Sequence, residues 1–544
     1  MQKGRSNPWF VSRGIATEEC LGYFLQTCAG YWPAREMVSF DGARYTYRDI
    51  HRWSLAIARA LLASGIGPSD RVLIQAVNSA QLLAAQFGAW RIGAVTVPVV
   101  PMYRAHELKS IIADVRPRAV LASGRIGSRC YSTELDETLA QMGHETALKM
   151  VLEAPSERQG WFATPPAPSP HEAIDETDLP DPGGPTACAV ILYTSGSTAA
   201  PKGAMLRGAA IVNNARAMQR IYGYGASDVA LCATPLGHTG ALINSIMIPM
   251  VSGARAVVMR AWKPDEAVEL IEREKISFMG APPLVLQDLI ERYEGQPAAG
   301  HRLHSYICGG GAMPPSLITR ADAVGIRASR NYGMTETTGT ITACPPTEPI
   351  HRRAHFDGYP LYGSEVQIVD EQRRPVPRGK VGEIRIRCPL LMIGYTDPAL
   401  NEAQLDSAGW FYTGDLGRLE AGDWLVFEGR VKDIINRGGE KFSSQDIEAA
   451  IADCPGITDA AVVGVPHIRY GEVVAAFVRL KPGVEWSGPQ EILRHLETLK
   501  LAKQKWPVHW IVLADFPRTP SGKIQKQALR EMLKTHDLAQ TSTV

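Results

Sequence analysis

The run from Tyr193 to Ala204, YTSGSTAAPKGA, concentrates hydroxyls, glycine and a lysine in one short loop, and the apolar residues Ala189 to Leu192 lead into it. Hydroxyls at Ser195, Ser197 and Thr198, with backbone N–H groups freed by Gly196, can converge on phosphate oxygens, and Lys202 can add a positive charge. The chemistry this allows is the holding of a triphosphate. A Walker A loop would need Gly-Lys-Ser/Thr opening a helix, whereas Lys202 follows Pro201 and precedes Gly203. Taken alone, a Ser/Gly-rich surface loop is the competing reading.

The elements that must position this loop are legible as periodicities. From about Tyr45 to Pro101, helical spacing (Ile57, Ala58, Leu61, Leu62) alternates with β-branched runs at Arg71 to Ile74 and Ala94 to Val99, a βαβ rhythm that implies parallel sheet. The rhythm returns over 257–280. Between the two lies the Pro-rich stretch 165–185, which reads as a polar surface connection. The apolar segment 239–252 is broken by Asn244, Ser245 and Pro249, so it reads as a buried helix before a strand and not as a membrane span. After about Asp357 short alternating strands, 365–369 and 382–388, predict a small antiparallel or barrel-like unit. The last 110 or so residues read as a separate α+β unit on domain-size grounds. In it 445–450 and 489–499 are expected helices, and 460–465 and 473–480 expected strands.

Composition narrows the partners. The 544 residues exceed what one core serves, and 45% apolar content is ample for two or more. Lys plus Arg number 57 against 56 Asp plus Glu, a net charge of +1 that gives no long-range field for nucleic acid or anionic lipid. Small molecules are the expected partners. Nine scattered cysteines, without a CxxC pair or zinc spacing, fit reduced thiols in a cytoplasmic protein. The N-terminal MQKGRSNPWF carries no signal-peptide apolar stretch.

Five further segments stand in order behind the loop: CGGGAMP at 308–314, NYGMTETTG at 331–339, GWFYTGDLG at 409–417, GRVKDIINRGGEKFSSQDIE at 429–448 and PRTPSGKIQK at 517–526. Together they resemble the adenylate-forming superfamily of acyl-CoA synthetases, nonribosomal adenylation domains and luciferases, over nearly the whole chain. The resemblance implies an α/β fold with a large N-terminal AMP-binding domain, 1–429, of two parallel-type sheets with helices plus a small β-barrel. It implies a small mobile α+β C-terminal domain, 430–544, turning on a hinge near Lys432. The implied cofactors are ATP, Mg²⁺ and CoA, and a homodimer is compatible with the family.

Residue by residue, the resemblance assigns Thr194, Ser195, Gly196, Ser197, Thr198 and Lys202 to the phosphates. Gly310, Gly311, Asn331, Tyr332 and Gly333 are also cofactor-binding, with Tyr332 stacking on adenine and Asn331 on its amino edge, and the small residues Gly309, Gly310, Gly311 and Ala312 also line the acyl site. Thr335 contacts phosphate, while Glu336 and Thr198 hold Mg²⁺, a metal normally bound through one or two carboxylates and phosphate oxygens. Asp415 accepts the ribose hydroxyls, reinforced by Arg430. Lys523 neutralises charge where the α-phosphate meets the substrate carboxylate. After domain rotation about Lys432, the loop 436–441 enters instead, with Gly438 and Gly439 letting a pantetheine arm pass. His238 stands as a gate near the carboxylate, and Lys523, Glu336, His238 and Thr335 form the expected catalytic set. Ala199 departs from the family, where that position is normally Gly. Considered singly, Asp415 could be a turn aspartate and Lys523 a solvated loop lysine.

No acidic residue occurs over 234–264 or 306–315, the stretches expected to line the acyl site. An ammonium buried there would lack a partner, so the acid is expected to carry no α-amino group. Medium-chain, alicyclic and aryl acids fit. The expected reaction joins such an acid to CoA through an acyl-adenylate. Loading of an acyl carrier protein and a non-catalytic acyl or nucleotide binder are the alternatives.

Overall fold

The computed structural model describes residues 19–153, 159–169, 176, 178–194, 201–294, 301–311, 313–437, 440–519 and 523–535. The βαβ rhythm resolves into two sheets. In one, of eight strands, Arg71–Gln75 lies between Val95–Val99 and Ala119–Ala122, and all three run parallel. Cys188–Thr194 joins them in parallel and returns through the antiparallel strand Lys202–Arg207. In the other, of nine strands, Val229–Cys232, Arg255–Val258, Phe278–Ala281, Ser305–Cys308 and Arg327–Met334 are parallel, while Gly339–Ala343 turns back antiparallel.

One continuous apolar core joins the two sheets, drawing on Val72 and Ile74 from the first and Val38, Phe278 and Ile307 from the second. Helices Tyr47–Ala63 and Ala80–Arg91 fill the space between. The first is started by a capping box in which Thr46 and Asp49 exchange side-chain and backbone hydrogen bonds. Every residue of the second except Gln81 is buried, each large apolar side chain contributing about 1.5–3 kcal/mol. Gly88 lets the helices touch, because a Cβ there would lie 2.6 Å from the Ser54 carbonyl oxygen. The described parts of the Pro-rich connection are strapped to these helices: Trp53 donates to the Pro165 carbonyl at 2.8 Å and Arg91 to that of Pro180 at 3.0 Å.

The segment 239–252 is a buried helix followed by the strand Arg255–Val258, as its punctuation predicts, and its middle, Leu242–Met247, widens into a π-helix. Among the described residues no helix is long and apolar enough to cross a membrane. The alternating strands after Asp357 form an antiparallel sheet in the order Glu365–Val369, Gly382–Arg387, Phe411–Leu419, Leu425–Arg430. Beyond a short 3₁₀ turn, Val431–Asp433, the chain enters a different sheet around the hairpin Ile457–His467 and Gly471–Leu480. Helices Ser444–Ala452 and Gln490–Thr498 cover one face of that sheet and Lys526–Thr535 the other.

Candidate active site

A cavity of about 4030 Å³ opens where the nine-stranded sheet, the antiparallel sheet and the C-terminal unit meet. Every described residue among those singled out from the sequence lines it: Thr194, Lys202, His238, Gly310, Gly311, Asn331, Tyr332, Gly333, Thr335, Glu336, Asp415, Arg430, Lys432 and Lys523. Ser195, Gly196, Ser197, Thr198, Gly438 and Gly439 lie outside the described residues, as does Ala199.

The described ends of the phosphate-type loop belong to two paired strands. Thr194 and Lys202 face each other as the last registered pair of antiparallel strands, and Lys202–Arg207 pairs on its far side with Gly394–Tyr395. This geometry explains why the loop is no Walker A: it returns into a strand where that motif would open a helix. The Lys202 ammonium lies 5.8 Å from the centroid of the Tyr395 ring. The Tyr395 hydroxyl donates to Glu336 Oε1 at 2.8 Å, and the other carboxylate oxygen makes no hydrogen bond to a described residue. Thr335 and Glu336 sit in a 3₁₀ turn, Thr335–Thr337, at the end of the strand that carries Asn331, Tyr332 and Gly333.

That strand is held so close to its neighbour that glycine is required. A Cβ on Gly333 would lie 2.0 Å from the Gly339 carbonyl oxygen, and one on Gly309 would lie 2.3 Å from Asn331 Oδ1. Asn331 fills the space that Gly309 leaves and donates to Thr340 Oγ1 at 2.6 Å. Its own Oδ1 is buried without a hydrogen-bond partner. Tyr332 stacks on Phe427 with ring centroids 5.6 Å apart, and its hydroxyl donates to Asp415 Oδ2 at 2.9 Å. Asp415 and Arg430 are cross-strand partners, and the Arg430 Nε stands 3.2 Å from Asp415 Oδ1. Asp415 is only 4% exposed. Burial raises its carboxyl pKa, while Arg430 and the Tyr332 hydrogen bond pull it back down.

Lys523 comes from the C-terminal unit, and its carbonyl accepts from the Thr519 N–H at 2.7 Å. Its Cε lies 3.9 Å from where a Gly310 Cβ would stand, and Gly310 has φ of +81°. The side chain keeps contact with solvent, yet its cationic form is disfavoured, first by the protein around the ammonium and then by Arg430. Asp415 and Glu336 oppose that shift. His238 caps the helix into 239–241. Burial, and then the Lys523 charge, lower its pKa to about 4, so the ring is neutral near neutral pH. Its Nε2 is buried without a hydrogen-bond partner.

Sequence reasoning missed Tyr395, Thr340 and Phe427, which orient Glu336, Asn331 and Tyr332. Nothing local marks them, for each acts only through a residue more than eight positions away in the chain. Asn78 was missed too. It fastens the loop 234–236 by donating to the Thr234 carbonyl at 2.9 Å and accepting from the Leu236 N–H at 2.9 Å.

The arrangement can hold an anionic ligand between the strand ends at Thr194 and Lys202 and the 331–336 strand end, with Asp415 offering buried acceptors and Lys523 a cation. Known proteins resemble this chain in sequence and fold. The chain is 31% identical over 536 residues to a medium-chain fatty-acid–CoA ligase of Escherichia coli (strain K12), covering 96% of this chain and 92% of that protein. It is 29% identical over 518 residues to the fatty acid–[acyl-carrier-protein] ligase ScoC of Streptomyces coeruleorubidus, covering 92% and 94%. The fold superposes on ATP-bound MatB from Rhodopseudomonas palustris with a TM-score of 0.81 at 25% identity, covering 95% of this chain and 99% of that one. The model for the AMP-binding enzyme C-terminal domain matches residues 446–523. The model for the AMP-binding enzyme matches residues 25–396, and the chain belongs to that family.

Proposed function

We propose that the protein is an ATP-dependent acid:CoA ligase. The acid carboxylate attacks the α-phosphorus of ATP to give an acyl-adenylate and diphosphate, and the CoA thiol then displaces AMP to give the acyl-CoA. The observation that carries this reading is the meeting of Lys523, from the C-terminal unit, with Gly310, His238 and the Asp415–Arg430 pair. A protein that only bound nucleotide would have no need of a mobile cation at the point where two anions must approach. The absence of acidic side chains over 234–264 and 306–315 supports a non-amino organic acid, and the CoA-ligase relatives support medium-chain, alicyclic or aryl acids.

The residues present fit the nucleotide and its metal. The buried, unpartnered Oδ1 of Asn331 suits an exocyclic amine. Asp415 offers charged acceptors to the ribose. Glu336, with one oxygen oriented by Tyr395 and the other without a described partner, suits Mg²⁺ together with phosphate oxygens. When bound, Mg²⁺ supplies charge neutralisation on the triphosphate. Neutral His238 can accept or donate one hydrogen bond at the carboxylate without adding charge. The strand ending at Arg430 and the 3₁₀ turn at Val431–Asp433 support division into 1–429 and 430–544 with Lys432 as pivot.

The test is mass-spectrometric product analysis of purified protein with ATP, Mg²⁺ and a panel of linear, alicyclic and aryl acids, with and without CoA. An acyl-CoA ion with equivalent AMP is expected. Acyl-adenylate that is discharged only by an acyl carrier protein would favour the reading suggested by the relative ScoC.

A further inference from the structure

Part of the cavity lining is apolar. Ala241, Gly280, Ala281, Ile307 and Met334 line it, and Asn244 projects among them from the π-helical stretch Leu242–Met247. Asn244 is 9% exposed, and among the described residues its side-chain amide has no hydrogen-bond partner. The fold makes room for it deliberately: a Cβ on Gly280 would meet Asn244 Nδ2 at 2.6 Å and its Cβ at 2.7 Å. Asn78, by contrast, is fully engaged by the chain. The Asn244 side chain lines the cavity, where its amide donor and acceptor are available to a bound molecule. π-Helical insertions of this kind recur at functional sites.

We infer that Asn244 is a specificity-determining residue that hydrogen-bonds a neutral oxygen substituent, hydroxyl or oxo, on the acid. The inference rests on the acid-adenylation reading and narrows it to acids with such a group. The amide offers both a donor and an acceptor, so it matches a hydroxyl or carbonyl, and the absence of acidic neighbours leaves an ammonium unmatched. His238 precedes the first turn of this helix and Asn244 lies in its π-helical stretch, so the two groups stand at different depths of the cavity. Acids that carry the oxygen at the far end of a ring or of a chain probe the contact.

The experiment compares matched acids in acid-dependent ATP–diphosphate exchange: 4-hydroxybenzoate against benzoate, and 5-oxohexanoate against hexanoate. The wild-type protein is expected to prefer at least one oxygenated acid over its partner by about tenfold or more in kcat/KM, because a site built for a hydrogen bond rejects the analogue that lacks it. In Asn244→Leu that ratio should collapse to one or below. Gly280→Ala, which leaves Asn244 present but displaces it, should shift the ratio in the same direction, so a folding defect in one variant does not decide the matter. Wild-type preference for the unsubstituted acids, or a ratio that neither variant changes, overturns the Asn244 assignment and leaves the ligase reading standing. Exchange with no acid of the wider panel overturns the ligase reading, and this one with it.

Discussion

Replacing Asp415 by asparagine separates what this side chain does for the fold from what it does for the nucleotide. The substitution keeps the volume and keeps an oxygen that can accept from Tyr332, and it removes the charge. Burial raises the carboxyl pKa more than Arg430 and Tyr332 lower it. Between the ordinary aspartate value and the raised one the native state therefore binds more protons than the unfolded chain, and stability falls as pH rises through that window. At neutral pH the ionised Asp415 is a net cost to folding, so Asp415→Asn should melt at the same temperature as wild type or higher. Asp415→Ala should melt lower, because the buried Tyr332 hydroxyl then loses its acceptor, at about 1–3 kcal/mol. For ATP the sign reverses. Hydrogen bonds to a charged group are worth about 1.5–3 kcal/mol against about 0.5–1.5 for neutral ones. Two ribose hydroxyls moved from a carboxylate to an amide thus lose about 1–3 kcal/mol, or about 5- to 150-fold in affinity. Calorimetric melting and titration with ATP read the two effects separately. A clear fall in the melting temperature of Asp415→Asn, or unchanged ATP affinity, refutes the reasoning.

Lys523→Ala should abolish ATP–diphosphate exchange while CoA still captures a synthetic acyl-adenylate; equal loss in both half-reactions would contradict the role given to this lysine. Tyr395→Phe removes the hydrogen bond that orients Glu336, and about a tenfold higher Mg²⁺ requirement is expected from the loss of an orienting partner. An unchanged Mg²⁺ titration would count against Glu336 as a metal ligand. His51, buried beside Arg91, has its pKa lowered from 6.5 to about 4, so the unfolded chain binds the extra proton and stability is lost as pH falls from 6.5 towards 4. Denaturant melts across that range should show a shallower slope in His51→Gln, and an identical slope would show that His51 is not responsible.

The local elements, and the order of the chemistry along the chain, are legible in the residues alone. Helical and strand periods are short-range patterns, so Tyr47–Ala63, Arg71–Gln75, Val95–Val99 and the buried helix before Arg255–Val258 follow from residues a few positions apart. The hydroxyl loop, the 331–339 segment and the lysine segment could each be read in place, as could the lack of acidic residues over 234–264 and 306–315. Which of these residues meet is set by packing. Asp415 faces Arg430 because two antiparallel strands pair in one register, and a one-residue slip would turn the side chains to opposite faces. Gly333 is needed because the Gly339 carbonyl of the neighbouring strand occupies the place a Cβ would take, a closeness that no pattern in 331–339 encodes. Tyr395 supports Glu336, and Asn244 stands unpartnered against Gly280, through contacts across distant parts of the chain. Such contacts are set by how sheets and helices pack, and local spacing carries no record of that packing.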